Sequence, residues 1–170
     1  MRYAILMLLM LATTPANSQD RITMEMINFI TEHTGLEYNG EQLPEVHRHT
    51  QQQMCSVLYE GNPPDPCTVA GYYNDETNEI FISKTPTQHM VADRYHEVVL
   101  VHELTHYMQR INGVYETIRC RRALERDAWM IQDRWVIEHQ IDEQQRPDAL
   151  WAIVMSSCPS DMPMLDVQSQ

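Results

Sequence analysis

The sequence predicts an α+β fold: a small β-sheet or hairpin packed on a buried central helix, with a second long helix beside it. Three observations carry that expectation. Val69, Tyr72, Tyr73, Ile80, Phe81 and Ile82 favour strands and flank a turn-like stretch at residues 74–78. Residues 91–111 carry Tyr95, Val98, Val99, Val101, Leu104, Tyr107, Met108 and Ile111, which leave few polar faces. A helix that is apolar nearly all round is a buried one. Residues 116–140 then repeat Ile118, Leu124, Ala128, Ile131, Trp135 and Ile137 at helical spacing.

The remaining elements follow in order. Ile22, Met26, Phe29 and Ile30 give a first helix over residues 21–34, which Gly35 ends. Residues 43–49 alternate loosely and predict a short strand. Thr50 with Gln53 fits a capping box, opening a helix that runs to about Tyr59. Residues 61–66 (GNPPDP) suit only a loop. Asn112-Gly113 stops the central helix, and Pro147 predicts the first position of a last short helix through Met155.

A length of 170 residues fits one compact domain. With 24 Asp plus Glu against 12 Lys plus Arg, the net charge is -12. Such a chain repels phosphate backbones and anionic membranes, so neither nucleic acid nor a membrane is expected as a partner. Arg2, the apolar run at residues 3–12 and the small residues Ala16 and Ser18 make a three-part signal-peptide pattern. The apolar run is too short to span a bilayer, which takes about 20 residues. The expected organisation is therefore a signal peptide at 1–18, one domain at 19–160 and a loose tail at 161–170. The expected location is secreted or periplasmic.

Export changes how the cysteines read. Cys55, Cys67, Cys120 and Cys158 are even in number and contain no CxxC, so two disulfides are expected rather than a metal site. Three pairings exist on paper. The preferred one joins Cys55 to Cys67 across the Pro-rich loop and Cys120 to Cys158 at the C-terminal end.

The chemistry lies in the buried helix, where His102-Glu-Leu-Thr-His106 forms an HExxH. Positions i and i+4 share one helical face, so both imidazoles reach one ion, and Glu103 lies beside that face. A chain of this composition gives roughly 0.03 chance matches to the pattern. Two His and a Glu in a Val- and Leu-rich helix are also costly unless they have partners. Catalytic zinc takes three protein ligands and keeps a fourth position for water. Gln109 and Asn112 stand where an extended HExxHxxGxxH would need Gly and His. The third ligand is therefore expected to be acidic. Glu125, 19 residues after His106 with apolar Ala128 and Trp129 as helical neighbours, is the best candidate; Glu116, Asp127 and Glu138 stay open.

HELTH in a buried helix, followed by a second helix bearing Glu, resembles the gluzincin branch of zinc metallopeptidases. The segment Gly71-Tyr-Tyr with Asn78-Glu-Ile-Phe-Ile-Ser83 is similar to the zincin hairpin whose edge strand lines the cleft and pairs with extended peptide. The resemblance spans residues 43–140 and is similar to that of small secreted bacterial proteins of this type. It implies a zincin-like fold and a Zn2+ ion on His102, His106 and Glu125. Glu103 would act as general base in hydrolysis of a peptide or protein substrate. A non-catalytic zinc-binding or inhibitory module is the alternative. Thermolysin-like members carry an Asp four residues after the ligand Glu; here that position is Trp129. A second electrophile usually assists, and Tyr115, His139, Tyr107 and His96 are the candidates.

Other residues read more simply. His47 and His49 share one side of a strand and can bind metal, but without an acidic or Cys partner assigned to them an exposed polar strand is expected. Arg119, Arg121, Arg122 and Arg126 are expected on a solvated helix face. Trp129, Trp135 and Trp151 are expected in the core.

Overall fold

The computed structural model describes residues 18–86 and 94–161. Apart from Ser18, the expected signal peptide lies outside the described residues, as do tail positions 162–170. Among the described residues the fold is α+β, with five helices and one three-stranded sheet. Helix α1 (Ser18–Thr34) leads to strand β1 (Glu45–His49) and helix α2 (Gln51–Leu58). The hairpin β2 (Gly71–Asn74) and β3 (Glu79–Ser83) follows, then the long helices α3 (Tyr95–Ile111) and α4 (Arg122–Glu138), and last the short α5 (Ala149–Ser156).

Strand order is β1-β3-β2, with β1 parallel and β2 antiparallel to the central β3. Alternation along β3 sends Ile80 and Ile82 to the core, where they meet Met26, Ile30, Leu104 and Trp135. Every residue of α3 from Val98 to Gln109 is buried. This helix is the spine of the molecule, packed between α1, α4 and the inner face of the sheet.

Local chemistry explains where the boundaries fall. The strand expected from residue 43 starts at Glu45, because Pro44 before it has no N–H to give to a ladder. The hairpin starts at Gly71 rather than Val69 because the Gln51 side chain occupies both backbone groups of Val69. It accepts from the Val69 N–H at 3.1 Å and donates to the Val69 carbonyl at 2.7 Å. The capping box at Thr50 and Gln53 is formed.

Two expected helices are corrected. The helix expected from residue 116 begins only at Arg122. Gly113, at φ 70°, releases the chain from α3 into a single 3-10 turn at Val114–Glu116. Thr117 closes that turn on the Val114 carbonyl, and the chain then swings to bring Cys120 to Cys158. The last helix begins at Ala149, and Pro147 stands one residue before the cap instead of opening the helix. Its N-cap is Asp148, whose carboxylate accepts the Trp151 N–H at 2.7 Å.

Both preferred disulfides are present, Cys55–Cys67 and Cys120–Cys158. Among the described residues no helix is long and apolar enough to cross a membrane. These two properties are compatible with a secreted or extracellular protein.

Candidate metal centre

The HExxH occupies the middle of α3, and α4 crosses above it. Helical periodicity turns the His102 and His106 rings to one side, one turn apart. Their Nε2 atoms lie 3.2 Å from each other. Glu125, in the first turn of α4, offers Oε2 at 3.3 Å from His102 Nε2 and Oε1 at 3.5 Å from His106 Nε2. One ligand atom from each of the three residues fits within 4.8 Å of the others. Two imidazole nitrogens and a carboxylate converging in this way form a donor set that suits zinc.

The other acidic candidates lie elsewhere. Glu116 pairs with Arg110 at 3.0 Å, Glu138 lies 3.5 Å from His33, and Asp127 is exposed. Arg121 pairs with Asp75 and stacks over Tyr115, so it leaves Glu125 to the histidines.

The orientation of His106 is set by a residue that the sequence did not single out for this role. Gln109 Oε1 sits 2.9 Å from His106 Nδ1, while Gln109 Nε2 donates to the Leu124 carbonyl at 2.9 Å. Because Gln109 Nε2 is committed to α4, its Oε1 must accept, which puts the proton on His106 Nδ1 and leaves Nε2 free as a ligand. The signal available in sequence was a Gln at i+3 from His106 on a helix otherwise closed to solvent. His102 is held differently. Its ring meets the edge of Trp129 at 4.5 Å, and its buried Nδ1 has no hydrogen-bond partner among the described residues.

Glu103 lines the same cleft as the two His, on its β2 side. A Cβ built on Gly71 would stand 2.8 Å from Glu103 Oε1 and 2.5 Å from Val99 Cγ1, so only glycine lets the strand approach α3 this closely. Burial, with the Glu125 charge adding to it, pushes the Glu103 carboxyl above its ordinary range, against the pull of His102, His106 and the Tyr73 backbone N–H. For Glu125 burial also works against ionisation, but its bonds to His102 and His106 outweigh that and hold it well below the usual carboxylate range. Two neighbouring carboxyls are thus pushed apart, one towards holding a proton and one towards staying charged.

These groups line a cleft of about 440 Å3 between the β2 edge, α3 and α4. Of the four candidate electrophiles only Tyr115 lines it. The Tyr107 hydroxyl donates to the Gln42 carbonyl, His139 stacks on Trp135, and His96 borders a separate cavity with Arg48. Burial and the charge of Asp75 raise the Tyr115 pKa, so its hydroxyl remains a donor at neutral pH. Of the three Trp residues expected in the core, only Trp135 is there. Trp129 and Trp151 are cleft walls, and Trp151 is 55% exposed.

The family described as Domain of unknown function (DUF6647) matches residues 15–162. The chain belongs to that family. No curated protein and no solved structure matches the chain. The matched region takes in both disulfides, the cleft and every residue of the His102–His106–Glu125 cluster.

Proposed function

We propose that the protein is an exported zinc metallopeptidase of gluzincin type, cleaving peptide bonds in a zincin-like cleft. The observation that carries this reading is the convergence of His102, His106 and Glu125 on one point, with Glu103 beside it in the same cleft. Zinc held there would supply Lewis acidity, polarising a substrate carbonyl and lowering the pKa of a coordinated water.

The chain's own residues would do the rest. β2 is an edge strand of the sheet and its residues line the cleft, so an extended peptide can add to it by main-chain hydrogen bonds. Glu103, with its raised pKa, takes a proton from the attacking water and delivers it to the leaving amine. Glu125, pulled towards ionisation, stays an anionic ligand. Tyr115, protonated and facing the cleft, donates to the oxygen that gains charge as the carbonyl is attacked. Gln109 keeps His106 in the tautomer that presents Nε2.

The test combines metal content with peptide cleavage on the wild type, Glu125→Ala, Glu103→Gln and Tyr115→Phe. The proposal expects one zinc at this cluster, lost or sharply weakened in Glu125→Ala. It expects zinc kept but cleavage abolished in Glu103→Gln, and kcat reduced about 10²-fold or more in Tyr115→Phe. Zinc retained in Glu125→Ala would remove the assigned ligand. Stoichiometric zinc without turnover on a broad peptide library would leave a binding module instead of an enzyme.

A further inference from the structure

The sequence left His47 and His49 as an exposed polar strand. Glu45 already stands two residues before His47 on the same strand, and the fold supplies a second acid, Glu79, from β3. β1 runs parallel to β3 in the register Glu45↔Glu79, His47↔Phe81 and His49↔Ser83. Side chains alternate along each strand, so Glu45, His47, His49, Glu79 and Phe81 share the outer face, away from Val46, Ile80 and Ile82.

Two carboxylates therefore stand directly opposite each other on neighbouring strands of a chain carrying a charge of -12. Like charges in that position destabilise a sheet unless something positive sits between them. Their ion-pair partner among the described residues is His47. Its Nε2 lies 3.0 Å from Glu79 Oε1 and 3.9 Å from Glu45 Oε1. The three ligand atoms lie within 4.8 Å of one another.

The imidazole is also held in place. His47 stacks on Phe81 with ring centroids 5.1 Å apart, and Phe81 in turn stacks on Tyr72 at 4.8 Å. His49 stands one step further along the same face, and its buried Nδ1 has no hydrogen-bond partner among the described residues. Arg48, between the two His, borders the cavity on the opposite side with Val46 and Ile82, so it does not neutralise the carboxylates.

We propose that Glu45, His47 and Glu79 form a second divalent-metal site, on the outer face of the sheet, for a zinc-class ion. A mixed nitrogen and oxygen set favours a transition metal over magnesium or calcium, which prefer all-oxygen shells. None of the three residues lines the cleft. An ion there would remove the repulsion between Glu45 and Glu79 and clamp β1 to β3. The inference does not depend on the proposed peptidase activity.

The test is zinc stoichiometry by native mass spectrometry on the full chain with both disulfides formed, using zinc alone as the probe. His102→Ala/His106→Ala, which removes the first cluster, is expected to keep one zinc, and adding His47→Ala or Glu79→Gln should abolish it. A variant without the first cluster that binds no zinc, or whose zinc ignores His47→Ala, overturns the proposal. Should that double variant fail to fold, His47→Ala in the otherwise intact chain must lower the stoichiometry by one. Zinc lost in Glu125→Ala but untouched by His47→Ala would sink this site and leave the peptidase reading standing. The reverse pattern would do the opposite.

Discussion

Gln109 holds His106 by its Nδ1 at 2.9 Å while it is itself anchored to the Leu124 carbonyl of α4. A single buried amide thus joins the helix that carries the HExxH to the helix that carries Glu125. Replacing Gln109 by Ala should weaken zinc binding about 10- to 100-fold, the usual effect of losing a partner that orients a ligand. It also leaves the buried His106 Nδ1 without its hydrogen-bond partner, at about 1–3 kcal/mol. Competition with a chelator measures the first effect and urea unfolding of the metal-free protein the second. An unchanged zinc affinity would show that His106 needs no such partner.

Much of this centre was legible in the chain because it depends on local periodicity. The i, i+4 spacing alone brings His102 and His106 together, and the apolar surroundings of Glu125 turn it inward. The parts that were not legible depend on contacts between segments far apart. Gln109 acquires its role only when α4 presents Leu124. Glu45 and Glu79 become neighbours only through a parallel pairing across the α2 segment. Val69 has a strand former's side chain, yet Gln51 takes both of its backbone groups. Trp151 looks like core by composition, but α5 buries none of its own residues.

Gly71 makes a sharper prediction. Its missing Cβ is what allows β2 to lie against Val99 and Glu103. An added Cβ would force the Val99 methyl to shift and the Glu103 carboxylate to leave its place beside the strand. Gly71→Ala should cost about 1–3 kcal/mol, in the range of overpacked cores. Because Glu103 would lose its place beside the strand, peptide cleavage should fall by more than the loss of folded protein accounts for. Activity per folded molecule, with the fraction folded read from denaturation curves, separates the two effects.

The pH dependence of zinc binding follows from His106. In the metal-free protein burial works against the imidazolium, but the bond to Glu125 and the charges of Glu103 and Glu125 outweigh it and raise the pKa above 6.5. Proton and zinc compete for Nε2. Affinity should therefore be full above that raised pKa and fall as pH drops through it, about tenfold per unit for each proton displaced. The metal-free fold runs differently. His106 contributes stability below 6.5 that is lost as pH rises through its raised pKa. Glu125, held down by the two His, contributes stability above 4.5 that is lost as pH falls through its depressed pKa. Melting curves with and without zinc between about pH 5 and 8 check the zinc and His106 effects, and metal-free curves carried well below pH 4.5 check Glu125. A zinc-induced rise in Tm that stays constant from about pH 7.5 to 5.5 would contradict the ligand assignment.

The bond between Cys120 and Cys158 should matter more to α5 than to the core. It closes a separation of 38 residues, for which chain entropy alone gives about 4 kcal/mol at 25 °C. Yet α5 is an eight-residue helix with no buried residue, and Leu150, Trp151 and Ile153 are 71%, 55% and 63% exposed. A helix that short does not persist by itself in water. Its fixed points are the Asp148 cap, its packing on α4 and the disulfide at buried Cys158. With both cysteines changed to Ala, α5 can detach while α1, α3, α4 and the sheet stay packed. The freedom it regains offsets part of the entropic loss, so global stability should drop by less than the full value. Residues 149–156 should become open to proteolysis and fast in hydrogen exchange. None of the three candidate ligands lies on α5, so zinc should remain bound, whereas peptide cleavage should change because Trp151 leaves the cleft wall. A double variant in which α5 stays protected would place its stability in the packing on α4 and not in the disulfide.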